Sequence, residues 1–355
     1  MTVLQVCAYG AEYPGNFIAA LEKLEQALEA KGIHTIYAFI DRAADKDWCK
    51  NIQARTKVYF LPEAKARILP KTYRIFQQIY AENQVSVVHS HFELYDIPAT
   101  VTAPKQARIF WHLHDAIGEG YSKSGMLHRI LTRLQYGVVG RKATLLTVSH
   151  KHGDFARSIG FPGDQIIYTP NGIDTRRIKF VELDPGSVKF VMLGWDILRK
   201  GVDIAIKAAR NLRHDRADIA IVGYDNCKEF LSSNQAPAII RCQEPVKDIN
   251  LLYGDARAFL HISRAEGLSY ALLEVIYAGL PVICSDIPEN RFAEAFQCIR
   301  FIRSENDLDV AEAIDEILDG AWIPTPAQLE HNRALIEDQF SLNAWCRTIM
   351  GHYGV

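Results

Sequence analysis

The segment His261–Asp286, HISRAEGLSYALLEVIYAGLPVICSD, concentrates residue types able to do chemistry. A strand-like run ends near Ser263 and a short loop holds Arg264 to Gly267. A helical pattern then begins at Leu268–Ser269 and closes at Gly279, with Pro281 behind it. The start of such a helix carries unpaired backbone N–H groups, and Gly267 lets a ligand approach the backbone closely. Together they make an anion site of the phosphate-binding kind. Glu266 precedes the helix and Glu274 follows eight residues on. A carboxylate beside a phosphate repels it, so these two are expected to accept hydrogen bonds from sugar hydroxyls. The plain alternative is a capping Glu266 and a solvated Glu274.

Other constellations carry less. His89-x-His91 and His112-x-His114 fall at strand ends, where residues i and i+2 point the same way. Such pairs can hold zinc, but a metal set wants converging carboxylates or thiolates, and Asp115 is the only such neighbour in sequence. They are read as core and cleft-lining residues. Asp45-Lys46-Asp47 and Asp307-Leu308-Asp309 are read as caps or solvated charge, so no metal is expected. The first strand is followed by AYGAEYPGN rather than G-x-G-x-x-G, which argues against a dinucleotide oxidoreductase. From Lys123 to Lys142, basic residues alternate with apolar ones. Such a helix either packs its apolar face into the core or lies on anionic lipid.

The elements that position these residues follow a single pattern. In the 355-residue chain, short β-branched runs alternate with helical stretches almost from end to end. That alternation implies parallel sheets covered by helices on both faces. Strands are expected at Val3–Ala8, His34–Ile40, Ser86–Ser90, Ala107–Leu113, Thr144–Ser149 and Gln165–Thr169. A second series is expected at Val188–Gly194, Asp218–Gly223, Ala238–Cys242, Ala258–Ile262 and Pro281–Cys284. The Pro- and Gly-bearing stretch 169–187 reads as the junction of two domains, 1–170 and 171–330. A closing helix over 331–355 is expected to pack back toward the first. Parallel sheets bind ligands at the C-terminal ends of their strands, so a cleft between two such domains is expected to hold the ligand. A net charge of −2 gives no global field for nucleic acid, although residues 1–175 carry +4 and the remainder −6. Seven cysteines without a CxxC pair read as thiols in a reducing, cytoplasmic setting. There is no signal-peptide pattern at the N-terminus.

EGLSYALLE with its trailing AGLPV resembles the Glu-x7-Glu donor-site motif of retaining glycosyltransferases of family 4, which have the GT-B fold. VMLGWDILRKGVD (191–203) is similar to that family's Gly-Arg-Leu…Lys-Gly segment, and IYTPNGID (167–174) to its entry into the second domain. LLTVS (145–149), VVHSHF (87–92), WHLHD (111–115), YPGN (13–16) and FSLNAWCRTIMGHY (340–353) resemble further segments in the same order. The resemblance implies two Rossmann-like, doubly wound α/β domains facing a central cleft. It makes Glu274 the partner of the nucleotide ribose. Glu266 and the backbone of Gly267, Leu268 and Ser269 would face the donor sugar and diphosphate, and Lys200 the diphosphate. Gly15 and Asn16 would meet the same phosphates, and His114 would lie beside the donor sugar.

Two positions depart from the family pattern. Trp195 follows Gly194 where the family has Arg, and Arg199 beside Lys200 is expected to replace that lost contact. Asn16 stands where a second glycine is usual. The expected activity is transfer of a hexose from a nucleotide sugar, UDP-linked, to a hydroxyl of a saccharide or lipid-linked saccharide. The anomeric configuration would be retained by front-face attack, with no cofactor and no metal. Peripheral contact with an anionic membrane through 123–142 would place the protein on the inner face of the cell membrane. The competing readings are a nucleotide-sugar epimerase of the same fold, which needs no acceptor, and a silent glycosyltransferase-like partner protein.

Overall fold

The computed structural model describes residues 1–114, 121–122 and 124–355. Asp115 and Lys123 lie outside them. The chain divides into two compact units, Met1–Gly172 with Leu342–Val355, and Ile173–Ser341.

The first unit is built on seven strands. These are β1 (Thr2–Cys7), β2 (His34–Ile40), β3 (Val58–Leu61), β4 (Val85–His91), β5 (Arg108–Leu113), β6 (Thr144–Thr147) and β7 (Ile166–Tyr168). They pair in the order β3-β2-β1-β4-β5-β6-β7, and every pairing is parallel. Helices cover both faces, so the central strands are apolar runs rather than alternating ones. The helix Gly15–Glu29 buries Leu21, Leu24 and Leu28 on one stripe, as its sequence period requires. The C-terminal helix Leu342–Tyr353 adds Trp345, Ile349 and Tyr353 to the same core.

The second unit has six parallel strands. These are β8 (Lys189–Leu193), β9 (Asp218–Val222), β10 (Ile240–Gln243), β11 (Ala258–His261), β12 (Val282–Asp286) and β13 (Ile299–Arg303). Their order is β10-β9-β8-β11-β12-β13. Strand order reverses between β1 and β4 in the first sheet and between β8 and β11 in the second. Such a reversal opens a crevice at the carboxyl ends of the strands.

The alternation of strand and helix is as the sequence suggests, with two additions. Strands β3 and β13 were not expected, and both are sheet edges. VYFL is only four residues long and mostly half-buried, and IRFIR carries Arg300 and Arg303, so neither has the fully buried apolar run of a central strand. The expected single closing helix is instead two, Pro326–Gln339 in the second unit and Leu342–Tyr353 in the first, parted at Phe340–Ser341. All seven cysteines are free thiols. Among the described residues, no helix is long and apolar enough to cross a membrane.

Candidate functional site

In the second unit, two loops leave the carboxyl ends of β8 and β11 at the reversal point. The first runs from Gly194 to Gly201. A Cβ at Gly194 would lie 2.4 Å from Ile221 Cγ2, so β8 must end on a glycine to pack there. Gly201 takes φ +79° and would place a Cβ 2.4 Å from the Ile262 carbonyl oxygen. The second loop is tied to the first by the Arg264 N–H, which donates to the Arg199 carbonyl at 2.8 Å. Arg264 also grips Asp203 with both Nη atoms at 2.8 Å.

These loops bring four charges together. Lys200 Nζ donates to Glu266 Oε1 at 2.6 Å, and both side chains are buried. Arg199 Nη1 donates to Glu266 Oε2 at 3.3 Å, and its Nε to Asp196 Oδ2 at 2.7 Å. Trp195 packs beneath both cations, 4.8 Å from Arg199 Cζ and 5.3 Å from Lys200 Nζ to the ring centroid. Burial works against ionising Glu266, but His261, Lys200 and Ser263 outweigh it and hold the carboxyl below the usual range. Burial likewise lowers Lys200, with Glu266 offsetting part of the effect. His261, buried beside them, is pushed down to about 4 and is neutral at pH 7. The sequence points Glu266 at sugar hydroxyls; here both its oxygens are occupied by Arg199 and Lys200.

The helix Tyr270–Ala278 starts at this cluster. Ser269 caps it, its hydroxyl accepting from the Leu272 N–H at 3.4 Å, and Leu268 and Glu274 are buried. Arg177 Nη2 lies 3.8 Å from Glu274 Oε1. Arg177 also lines a cavity of about 500 Å³ with Trp195, Tyr224, Val246, Lys247 and Leu252. Trp195 and Arg177 therefore join the cavity to the Lys200 cluster on one side and to Glu274 on the other.

In the first unit, Gly15 and Asn16 open the helix Gly15–Glu29, and Asn16 is buried. Phe17, the next residue, packs edge-on against His91 and His114 at 5.2 and 5.4 Å. The two histidine pairs form one hydrogen-bonded chain. His112 Nδ1 meets His89 Nε2 at 3.2 Å, and His89 Nδ1 meets the Tyr353 hydroxyl at 2.6 Å. Gln5 bridges from Tyr353 at 3.1 Å to His91 Nε2 at 3.0 Å. His91 Nδ1 meets His114 Nε2 at 2.9 Å, and His114 Nδ1 meets Asn171 Oδ1 at 3.1 Å. Burial lowers all four imidazoles well below the ordinary histidine value, His114 to about 3. A neutral imidazole carries one proton, so the direction of any one bond fixes the tautomer of its neighbours.

Ligand-type nitrogens of His89, His91 and His112 lie within 4.8 Å of one another, yet these rings already face one another, His114, Gln5 and Tyr353. Asp47 is fully exposed at the start of a helix, and Asp309 pairs with Arg303 at 2.6 Å. The structure thus gathers Gly194, Trp195, Arg199, Lys200, Glu266, Leu268, Ser269 and Glu274 within the second unit. Gly15, Asn16 and His114 belong to the first. Sequence reasoning missed Arg177, although Arg176-Arg177 stand just one residue beyond the NGID stretch. It also missed Gln5 and Tyr353, which no local pattern marks.

Residues 20–177 match the model of Glycosyltransferase Family 4, and residues 188–320 match that of Glycosyl transferases group 1. With the paired parallel sheets, these matches make the chain a glycosyltransferase of GT-B type. It shares its fold with the Anabaena protein HepE in complex with UDP and glucose, at a TM-score of 0.79 and 14% identity. That alignment covers 100% of this chain and 99% of the other. Sucrose-phosphate synthase from Thermosynechococcus elongatus aligns at a TM-score of 0.79 and 16% identity, over 99% and 98% of the two chains. A glycosyltransferase from Rickettsia africae aligns at 0.77 and 15%, over 99% and 97%. No curated protein matches the sequence.

Proposed function

We propose that the chain transfers a hexose from a UDP-sugar to a hydroxyl of a saccharide or lipid-linked saccharide, retaining the anomeric configuration, without a metal ion. The observation that carries this reading is the Arg199–Lys200–Glu266 cluster at the start of the helix Tyr270–Ala278, joined by Trp195 to the 500 Å³ cavity. In this reading the uracil enters the cavity between apolar walls and the Trp195 and Tyr224 rings. The ribose hydroxyls bond to Glu274, with Arg177 steadying its carboxylate. The diphosphate displaces Glu266 from the two cations and frees it to take a sugar hydroxyl. Negative charge grows on the leaving phosphate as the glycosidic bond breaks. Arg199, Lys200 and the helix N-terminus are preorganised to meet that charge, the role a metal would otherwise fill.

In the first unit, both ring nitrogens of His114 are engaged by His91 and Asn171. His114 is therefore assigned a positioning and packing role within the first unit rather than that of a free acid. The HepE complex with UDP and glucose supports the choice of donor. Seven free thiols support a reducing, cytoplasmic setting.

The test is transfer from ¹³C-labelled UDP-α-hexoses to a panel of saccharide and lipid-linked saccharide acceptors, read by NMR at the anomeric carbon. The expected product is the α-glycoside, formed only with acceptor and at an undiminished rate in EDTA. A β-linked product, or epimerised sugar and UDP formed without acceptor, overturns the reading.

A further inference from the structure

The helix Met126–Gly137 sits with its polarity reversed. Its buried residues are Thr132, Gln135 and Tyr136. Met126, Leu127, Ile130, Leu131 and Leu134 are exposed, and so is Val138 just beyond its end. Placed at 3.6 residues per turn, these six cover an arc of ~140° centred almost opposite the buried residues. Tyr136 fixes the orientation. Its ring packs against Trp111 and Phe161, and its hydroxyl donates to Glu93 Oε2 at 3.3 Å. Rotating the helix to hide its leucines would expose that ring and break its contacts with Trp111 and Phe161. An ordinary surface helix buries such a stripe, and a contiguous apolar patch of this kind marks an interaction site.

The charges around the stripe identify the partner. Arg129 and Arg133 border it on one side, and exposed Arg141 and Lys142 follow its end. No Asp or Glu occurs anywhere between Tyr121 and Lys142. An apolar stripe edged by cations with no acid among them suits an anionic lipid surface. The leucines enter the acyl boundary while the guanidinium groups stay at the headgroups. A second copy of the same face would instead set arginine against arginine.

We infer that Met126–Val138 docks the first unit on anionic membranes. The inference stands apart from the proposed transferase activity, because lipid binding can be measured without turnover. The test is flotation of the full chain with vesicles of phosphatidylcholine containing 30% phosphatidylglycerol, with pure phosphatidylcholine vesicles and size-exclusion light scattering alongside. Wild type is expected to float with the anionic vesicles, to stay behind with the neutral ones, and to run as a monomer. Arg129→Glu with Arg133→Glu, and separately Leu127→Gln with Leu131→Gln and Leu134→Gln, should each lower partitioning about tenfold or more. All five side chains are exposed, so both variants should melt like wild type. The inference fails if wild type does not float with anionic vesicles, or if the charge reversal leaves flotation unchanged. It also fails if wild type is a dimer that the leucine variant dissociates, which would make the stripe a contact between copies.

Discussion

Glu266 holds the balance of charge at the candidate donor site, because each of its oxygens neutralises a cation that the diphosphate would need. Removing that charge should have opposite effects on the empty and the loaded protein. In Glu266→Gln the buried Lys200 loses its counter-ion, and breaking a buried pair costs roughly 3–5 kcal/mol, so the melting temperature should fall. UDP should nevertheless bind about tenfold more tightly, a gain of ~1.4 kcal/mol, because it no longer competes with an internal carboxylate. Calorimetric titration checks this, and weaker UDP binding in a folded Glu266→Gln protein would refute it. Arg199→Ala should lower kcat by ~10² or more with a smaller change in KM, since its contact strengthens as phosphate charge develops. A near-wild-type kcat would leave the leaving group to Lys200 and the helix N-terminus. At this scale the sequence exposes what lies within one motif: Glu266, Glu274 and Lys200 stand in recognisable local patterns. Arg177, almost a hundred residues before Glu274, and Tyr353, at the far end of the chain from Gln5, come together only through tertiary packing.

Every strand interior to a sheet was legible, and the two strands that escaped, β3 and β13, both lie at sheet edges, where burial on one side leaves a weaker apolar signal. Periodicity has a second blind spot. It revealed an amphipathic stretch over 123–142, but period alone does not say which face turns inward. The buried ring of Tyr136 decides that for Met126–Gly137, and Lys123 lies outside the described residues. The turn before the helix Val202–Ala209 shows how backbone geometry supports the site. Gly201 is left-handed and pressed against the Ile262 carbonyl, directly after Lys200. Gly201→Ala should therefore destabilise the second unit by ~2–4 kcal/mol, combining backbone strain with a steric clash. It should also weaken UDP binding by displacing Lys200. Denaturant melts and UDP titration of this variant would show both losses; an unperturbed melt would contradict the geometry.

At the scale of the whole molecule, the two units differ in what they bury. The first contains His89, His91, His112 and His114, all held neutral by burial, while the second contains His261. A buried histidine with a lowered folded pKa keeps its full stability above the unfolded value of about 6.5. That stability is lost as pH falls toward the folded value, because the unfolded chain then binds the extra proton. Each such group contributes a slope of about 1.4 kcal/mol per pH unit in that window. Asp96, raised by burial to about 7, acts in the opposite sense but through a single proton. The first unit should therefore unfold before the second as pH is lowered from 7 to 5, splitting the calorimetric transition. His89→Gln should reduce that acid sensitivity, and parallel loss of both units would count against the buried neutral chain. The two-sheet architecture was readable from strand–helix alternation, whereas this histidine chain was not, since three separate strands, the stretch after β7 and the last helix assemble it. The central claim, a UDP-sugar site in the second unit, is tested most directly by saturation-transfer NMR with UDP-, GDP- and dTDP-sugars on wild type and Glu274→Ala. Wild type should saturate the uracil and ribose protons of the UDP-sugar, and Glu274→Ala, still folded, should bind it ~1–3 kcal/mol more weakly. No saturation from any nucleotide sugar, or an unchanged signal in Glu274→Ala, would contradict the account.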